Sequence, residues 1–134
     1  MTTRLAPSMT PDTQFFWDAL RERRLLIQRC TDCGALRHPP RPMCPACRSL
    51  SWDTVEAAGQ GTVTSCVVPR HPEMPFMEHP YIVALVELDE GTKLVTNLVD
   101  VDPDDATIGM RVEVTYLECD DGLVLHQFRP AGAS

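Results

Sequence analysis

The sequence of 134 residues contains no apolar run of about 18 residues, which is the length that a membrane-spanning helix needs. Its first residues also lack the apolar segment of a secretion signal, so we expect a cytoplasmic protein with reduced thiols and no membrane partner. The common catalytic motifs GxSxG, HExxH and GxGxxG are absent, as is a phosphate-binding loop. The chain is therefore predicted to have no catalytic constellation of its own.

Bases and aromatic residues are scarce where a nucleic acid would have to bind. Residues 71–134 carry three bases and 13 acids, a net charge of −10, whereas residues 1–70 carry nine arginines and six acids, a net charge of +3. Aromatic residues make up only 6% of the chain. Binding of single-stranded nucleic acid requires a basic groove with stacking aromatics, so we expect no nucleic-acid partner.

Four of the six cysteines form two CxxC pairs separated by ten residues, Cys30 with Cys33 and Cys44 with Cys47. Each CxxC turn can present two thiolates to one point, and two such turns complete a tetrahedral site with four thiolates. Four protein ligands leave no open coordination position, so the ion is predicted to be structural. Zinc is the expected ion, and iron in a rubredoxin-like site is the alternative that the spacing leaves open.

The chain divides into three zones. Residues 1–12 are small, polar and proline-bearing, which predicts a tail or linker. Residues 13–56 contain the cysteine pairs and an expected helix that begins at Asp12 or Thr13 and ends near Glu22. Residues 57–134 contain strand-like stretches and no long helix.

The third zone predicts a small antiparallel barrel. Hairpin turns with glycine are expected at residues 89–91 and 120–122. The fold class is therefore mainly β, with an N-terminal helix, a rubredoxin-like zinc ribbon and a five-stranded OB-fold barrel. The five expected strands lie near residues 61–68, 80–88, 93–99, 111–118 and 123–128.

Some other reactive residues have simpler explanations. Cys66 and Cys119 lie on predicted strands and are expected to be buried small apolar residues. His126 on the last strand is expected to be structural rather than a catalytic base. The acidic residues between 100 and 105 lack the glycine and distal glutamate of an EF-hand, so a solvated acidic loop is expected there.

Large apolar residues in the short N-terminal helix and in a proline-rich loop predict contacts with a partner protein. They are Phe15, Phe16 and Trp17 in the helix and Met74, Phe76 and Met77 in the loop after the first barrel strand. The alternative for the helix is that Phe16 and Trp17 cover the junction between ribbon and barrel.

An ordered set of motifs resembles that of a known family. It consists of Phe16-Trp17, Leu26 to Gly34 with the first cysteine pair, Pro39-Pro40-Arg41, Cys44-Pro45-Ala46-Cys47, Gly59 to Val63, Pro80 to Ala84, Leu88 to Gly91 and Ile108 to Val112. Over about residues 15–130 the chain is similar to the rubredoxin-like zinc ribbon plus OB-fold proteins that accompany thiolase-type enzymes.

The resemblance implies a non-catalytic accessory subunit that binds and stabilises a thiolase-fold acyl-CoA enzyme and helps to form its acyl-CoA channel. Its first implication is an aldolase of steroid side-chain degradation, which cleaves a steroid-CoA thioester by a retro-aldol step. One alternative is a bridging subunit between a thiolase and a hydroxymethylglutaryl-CoA synthase. The other, which the charge distribution disfavours, is a nucleic-acid-binding module built from a zinc ribbon and an OB-fold.

Overall fold

The computed structural model describes residue 7, residues 10–69 and residues 80–132. The predicted partner-contact residues Met74, Phe76 and Met77 therefore lie outside the described residues, as does most of the predicted tail over residues 1–12. Within the described ranges, no helix combines the length and the apolar character that crossing a membrane requires.

An N-terminal helix, α1, spans Gln14–Arg21, close to the bounds that the sequence predicts. Its apolar side chains recur at helical spacing, so Phe16, Ala19 and Leu20 are buried together on one face. This face packs on both the ribbon sheet and the barrel. The helix therefore ties together the two parts of the structure that follow it in the chain.

A small antiparallel sheet carries the cysteine pairs. Its strands are β1 (Leu26–Cys30), β2 (Leu36–Arg37) and β3 (Trp52–Glu56), in the order β2-β1-β3. The sequence predicts only β1, because β2 has two residues and β3 shows no alternation of buried and exposed positions. Arg29 on β1 and Asp53 on β3 lie opposite each other and form an ion pair with an N–O distance of 2.6 Å.

The remaining strands form a closed five-stranded barrel in the order β4-β5-β6-β8-β7, with β4 and β7 paired to close it. All neighbours are antiparallel except β6 and β8, which are parallel. This arrangement confirms the expected OB-fold barrel. The strands are β4 (Gln60–Val67), β5 (Ile82–Leu88), β6 (Lys93–Leu98), β7 (Arg111–Glu118) and β8 (Val124–Pro130).

One hydrophobic core joins the helix, the ribbon and the barrel. Phe16 and Leu20 of α1 and Ile27 of β1 belong to the same buried cluster as Val112 and Phe128 of the barrel. Burial of each such side chain stabilises the fold by about 1.5–3 kcal/mol. We therefore expect that damage to this shared core lowers the stability of the ribbon and of the barrel alike.

Gly61→Ala is expected to destabilise the barrel strongly. A Cβ at this position would lie 2.5 Å from the carbonyl oxygen of Glu87 and 2.8 Å from the side chain of Val86. Since the closest atom belongs to the backbone of the paired strand, we expect a loss of about 2–3 kcal/mol in the free energy of unfolding.

Gly91→Ala is the matched control for this substitution. Gly91 has a φ of +107° but its Cβ would meet no atom within 4 Å, so its expected cost is the backbone strain of about 1 kcal/mol. Thermal unfolding of both variants measures the difference, and equal losses would contradict the close approach of β4 and β5.

Candidate metal centre

The four predicted ligands converge on one point. The Sγ atoms of Cys30, Cys33, Cys44 and Cys47 all lie within 4.8 Å of one another. The Cys30–Cys47 and Cys33–Cys44 sulfur distances are 3.5 and 3.6 Å. Tetrahedral metal–sulfur bonds of about 2.3 Å place sulfurs roughly 3.8 Å apart, so the donor set fits a single tetrahedral ion.

The first knuckle begins where β1 ends. The amide of Gly34 donates to the carbonyl of Cys30 at 2.9 Å, and the amide of Cys30 donates to the carbonyl of Ala35 at 2.9 Å. Gly34 has a φ of +79°, a conformation that glycine adopts without strain. These bonds fold residues 30–34 into a tight turn with both thiols on its inner side.

The second knuckle repeats this geometry without a glycine. The amide of Arg48 donates to the carbonyl of Cys44 at 2.8 Å, and the amide of Cys44 donates to the carbonyl of Ser49 at 2.9 Å. Arg48 has a φ of +66°, in the position that Gly34 occupies in the first knuckle. A side-chain contact between Ser49 and Asp32 links the two knuckles.

Backbone amides favour the thiolate form of Cys30 and Cys44, the buried (inner) cysteine of each pair. The amides of Cys33 and Asp32 lower the pKa of Cys30 to about 6. In the same way, the amides of Cys47 and Ala46 hold the pKa of Cys44 below its usual value. These knuckles are therefore built to supply thiolates, which are the metal-binding form of cysteine.

Cys47, an exposed (outer) cysteine of the cluster, shows why the four thiols need a cation. The amide of Ser49 lowers the pKa of Cys47, but the neighbouring thiols Cys30, Cys33 and Cys44 outweigh it and raise that pKa to about 12. Four thiolates at this separation repel one another, and a metal dication removes the repulsion. Among the described residues, this is the sole group of three or more His, Cys, Asp or Glu side chains that could hold a metal ion.

Two buried polar residues hold the loop between the knuckles through hydrogen bonds to its backbone. Gln28 on β1 accepts a hydrogen bond from the amide of Arg41 at 2.8 Å, and Arg37 on β2 donates to the carbonyl of Arg41 at 2.9 and 3.1 Å. Gln28 and Arg37 are paired across the ladder and are 1% and 7% exposed. Sequence reasoning missed this clamp, because nothing in a single polar residue on a short strand signals that it will be buried.

Two histidines lie at the junction between ribbon and barrel. The ring of Phe16 lies 5.0 Å from that of His38 and 5.8 Å from that of His126. His126 Nδ1 and Thr96 Oγ1 are 3.1 Å apart. Burial lowers the pKa of both histidines to about 4, so they are neutral at pH 7 and His126 is a structural residue, as expected.

Acidification is expected to destabilise the protein through these histidines. An unfolded histidine has a pKa of about 6.5, whereas both folded values are about 4. The unfolded chain thus binds more protons, so stability is complete above the unfolded pKa and declines as the pH falls towards the folded one. Between about pH 7.5 and 5.5 we expect a loss of about 1 kcal/mol per histidine.

Urea unfolding at both pH values, with metal content monitored, measures this loss. His126→Asn is the comparison variant, because its amide can replace the ring nitrogen that faces Thr96 but does not titrate. A pH dependence in the variant as steep as that of the natural chain would contradict the role of His126.

The predicted partner-contact residues of the helix differ in exposure. Phe16 is 2% exposed and belongs to the core, so its surface is used within this chain. Phe15 is half-buried with its ring 5.0 Å from that of Trp52, and Trp17 is half-buried with its ring 5.1 Å from that of Phe16. A partner contact stays a prediction for Phe15 and Trp17.

The remaining candidates behave mostly as expected. Cys119 is buried as predicted but lies just after β7, whereas Cys66 is on β4 but only half-buried, so the prediction of full burial is wrong for Cys66. The acidic side chains of the loop after β6 are exposed. Asp102 caps a short 3-10 turn at Pro103–Asp105 by accepting from the amide of Asp104 at 2.9 Å, so this loop is a solvated turn.

Two known families match successive parts of the chain. Residues 17–53 match the family described as "ChsH2, rubredoxin-like zinc ribbon domain", and residues 54–117 match "ChsH2, C-terminal OB-fold domain". These matches agree with the resemblance that the ordered motifs indicate.

Similar proteins fall into two groups. One group contains a probable enoyl-CoA hydratase alpha subunit of Thermomonospora curvata, 56% identical over 96% of this chain and 40% of that protein. It also contains the 3-oxo-4,17-pregnadiene-20-carboxyl-CoA hydratase alpha subunit of Mycobacterium tuberculosis, 42% identical over 87% of this chain. This chain spans 40% and 37% of the length of these two proteins. The other group includes a DUF35 domain-containing scaffold protein of Methanocaldococcus jannaschii, 34% identical over 84% of this chain and 85% of that protein.

Two solved structures share the fold. A chain of the "Ltp2-ChsH2(DUF35) aldolase" is 56% identical, with a TM-score of 0.89 over 94% of this chain and 99% of that chain. A DUF35 protein of unknown function from Sulfolobus solfataricus is 19% identical, with a TM-score of 0.62, and supports the fold alone. The chain therefore belongs to the DUF35 family and joins a rubredoxin-like zinc ribbon to an OB-fold domain of the ChsH2 type.

Proposed function

We propose that this chain is a non-catalytic accessory subunit of a thiolase-fold acyl-CoA enzyme, an aldolase of steroid side-chain degradation. The observation that carries the proposal is the likeness to a chain of the Ltp2-ChsH2(DUF35) aldolase, which extends over 99% of that chain at 56% identity. The chain would bind and stabilise the aldolase and help to form its acyl-CoA channel. The residues that break the carbon–carbon bond of the steroid-CoA thioester would lie on the partner.

The chemistry of this chain supports that division of labour. The four cysteines fill a tetrahedral coordination shell, so an ion held there has no position left for a substrate. His38 and His126 have a pKa of about 4 because they are buried, which makes them weak bases at neutral pH. Both features support a role in the fold rather than in a proton transfer.

Zinc is the proposed ion. Four thiolates in tetrahedral arrangement suit zinc and also iron, but zinc has no redox chemistry that would disturb a purely structural site. When bound, the ion would fix the two knuckles against each other and so hold the inter-knuckle loop in place. Elemental analysis of the purified chain distinguishes the two metals, since iron bound to four thiolates also colours the protein.

A second candidate function is the bridging of a thiolase and a hydroxymethylglutaryl-CoA synthase. It is favoured by the likeness to the scaffold protein of Methanocaldococcus jannaschii, of which this chain covers 85% at 34% identity. We do not propose for this chain the hydratase activity named for the longer relatives, because the chain corresponds to two fifths or less of their length.

Nucleic-acid binding gains no support from the arginines of the ribbon region. Arg23, Arg24 and Arg29 form ion pairs within the chain, with Glu118, with Glu56 and Glu22, and with Asp53, respectively. Their charges are thus partly neutralised before any phosphate approaches. We therefore propose that the partner is a protein rather than a nucleic acid.

Co-expression with a thiolase-fold aldolase of the same organism tests the proposal. We expect the two chains to co-purify through size-exclusion chromatography and the pair to cleave a steroid-CoA substrate faster than the aldolase alone. A thiolase and hydroxymethylglutaryl-CoA synthase pair serves as the parallel arm. Co-purification with that pair instead would favour the bridging function, and co-purification with neither would overturn both.

A further inference from the structure

The outer face of strands β4 to β6 is apolar. Val67 and Val95 are 60% and 62% exposed, and Val83 and Leu85 are half-buried beside them. The register places Val67 opposite Val83 and Leu85 opposite Val95, so the four side chains form two cross-strand pairs on one face. We refer to Val67, Val83, Leu85 and Val95 as the uncharged wall.

The uncharged wall itself carries no charge, and the nearest charges on its face are Glu87 and Lys93, which form the next cross-strand pair at one end of it. Residues 57–69, 80–86 and 94–99 contain no Asp, Glu, Lys or Arg, although 23% of the chain is charged. The outward positions of an antiparallel barrel that faces water are normally polar. On the β7 and β8 side, in contrast, Arg129 and Glu113 form an ion pair with an N–O distance of 3.2 Å.

The apolar surface continues towards the helix. A groove of about 280 Å³ is lined by Val83 and Val95 of the wall together with Trp17, Tyr81 and Leu125. A second groove of about 280 Å³ runs along the wall between β4 and β6. The wall is thus the centre of a wider surface that includes Trp17, which the sequence predicts to contact a partner.

The chemistry of this surface restricts what can cover it. An anionic ligand such as a nucleotide or a phosphate group would need cations, and the wall has none. A small apolar ligand needs an enclosed cavity, whereas the two valines stand open to solvent. A second copy would bring together two chains of net charge −7, which repel each other. Depletion of charge with exposed apolar side chains is typical of the core of a protein–protein interface.

We infer that the uncharged wall docks the partner enzyme, through an uncharged apolar face of that subunit. This inference rests on the proposed function, which supplies a partner, and adds the surface that the partner covers. Introduction of a charge at Val95 would place an unpaired ion in the desolvated centre of the interface. Since both signs of charge would be equally unpaired there, Glu and Lys should both weaken binding.

The test compares Val95→Glu and Val95→Lys with Ile108→Glu and Ile108→Lys. Ile108 is 70% exposed and lies outside the wall, so its variants are the matched control. Binding of the aldolase, measured by calorimetry, is expected to weaken about 30-fold or more for both Val95 variants and to stay within about threefold for the controls. Val95→Thr, which keeps the β-branched shape, is expected to weaken binding only several-fold. Circular dichroism and metal content report whether each variant is folded.

The outcomes separate the two claims. If the natural chain fails to bind the aldolase, the proposed function fails. If it binds and folded Val95 variants bind equally well, the docking surface lies elsewhere and the inference is overturned while the function stands. Loss of a homodimer in the Val95 variants without any change in aldolase binding would also overturn the inference, in favour of a second copy.

Discussion

Cys44→Ser is expected to release the metal and to unfold the ribbon. Cys44 is fully buried, and the amides of Cys47 and Ala46 stabilise its thiolate. Structural zinc contributes an apparent binding free energy of about 10–16 kcal/mol in small zinc domains, so the loss of one inner ligand removes a large part of the folding energy of this region. Metal content should fall from about one ion per chain to a small fraction of it.

Cys66→Ser is the control for this prediction. Cys66 is a half-buried cysteine on β4, outside the metal site, and its replacement should leave the metal content unchanged. Hydrogen exchange shows where structure is lost: in Cys44→Ser the amides of β1 to β3 should lose protection before those of the barrel strands. Retention of a full complement of metal by Cys44→Ser would contradict the assignment of the ligands.

Phe16→Ala is expected to lower the free energy of unfolding by about 3–5 kcal/mol. Phe16 is 2% exposed and packs between His38 of the ribbon region and His126 of the barrel. Its removal would leave a cavity at the junction that joins the two parts of the core. Against a total stability of about 5–15 kcal/mol for a typical domain, such a loss is severe.

Phe15→Ala separates this effect from the general loss of an aromatic ring in the helix. Phe15 is half-buried and contacts the ring of Trp52, so we expect a loss of about 1–2 kcal/mol. Urea unfolding of both variants at neutral pH gives the comparison. A loss for Phe15→Ala as large as that for Phe16→Ala would show that Phe16 is not the main contact between helix and barrel.

The barrel and the metal ligands could be predicted from sequence because their signals are local. Alternation of apolar and small residues marks β4, a run of apolar residues marks β5, and Gly91 marks the turn after it, so the five barrel strands are predicted to within a few residues. The two CxxC spacings likewise identify Cys30, Cys33, Cys44 and Cys47 as a group without any knowledge of the fold. Each of these features is set by neighbours within a few positions.

The rest of the site depends on contacts between distant residues. Strand β3 is defined by its pairing with β1 rather than by its own pattern, and the clamp of Gln28 and Arg37 on Arg41 appears only when β1 and β2 are paired. The lack of charge along most of β4 to β6 is visible in the sequence. Only the register, however, shows that Val67, Val83, Leu85 and Val95 share one face.

The proposed role of the metal is to shape a binding surface rather than to take part in a reaction. The ribbon and α1 share one core with the barrel, so loss of the ion should disturb the helix and Trp17 beside the uncharged wall. Catalysis would then suffer only because less of the complex forms.

The most direct test is the affinity of the proposed aldolase partner for the metal-loaded chain and for the same chain after removal of the metal with a chelator. If the metal shapes the binding surface, its removal weakens binding by about tenfold or more, while the turnover of whatever complex still forms stays nearly unchanged. Unchanged affinity with a loss of turnover would contradict that role, because the metal would then act in the reaction and not in assembly.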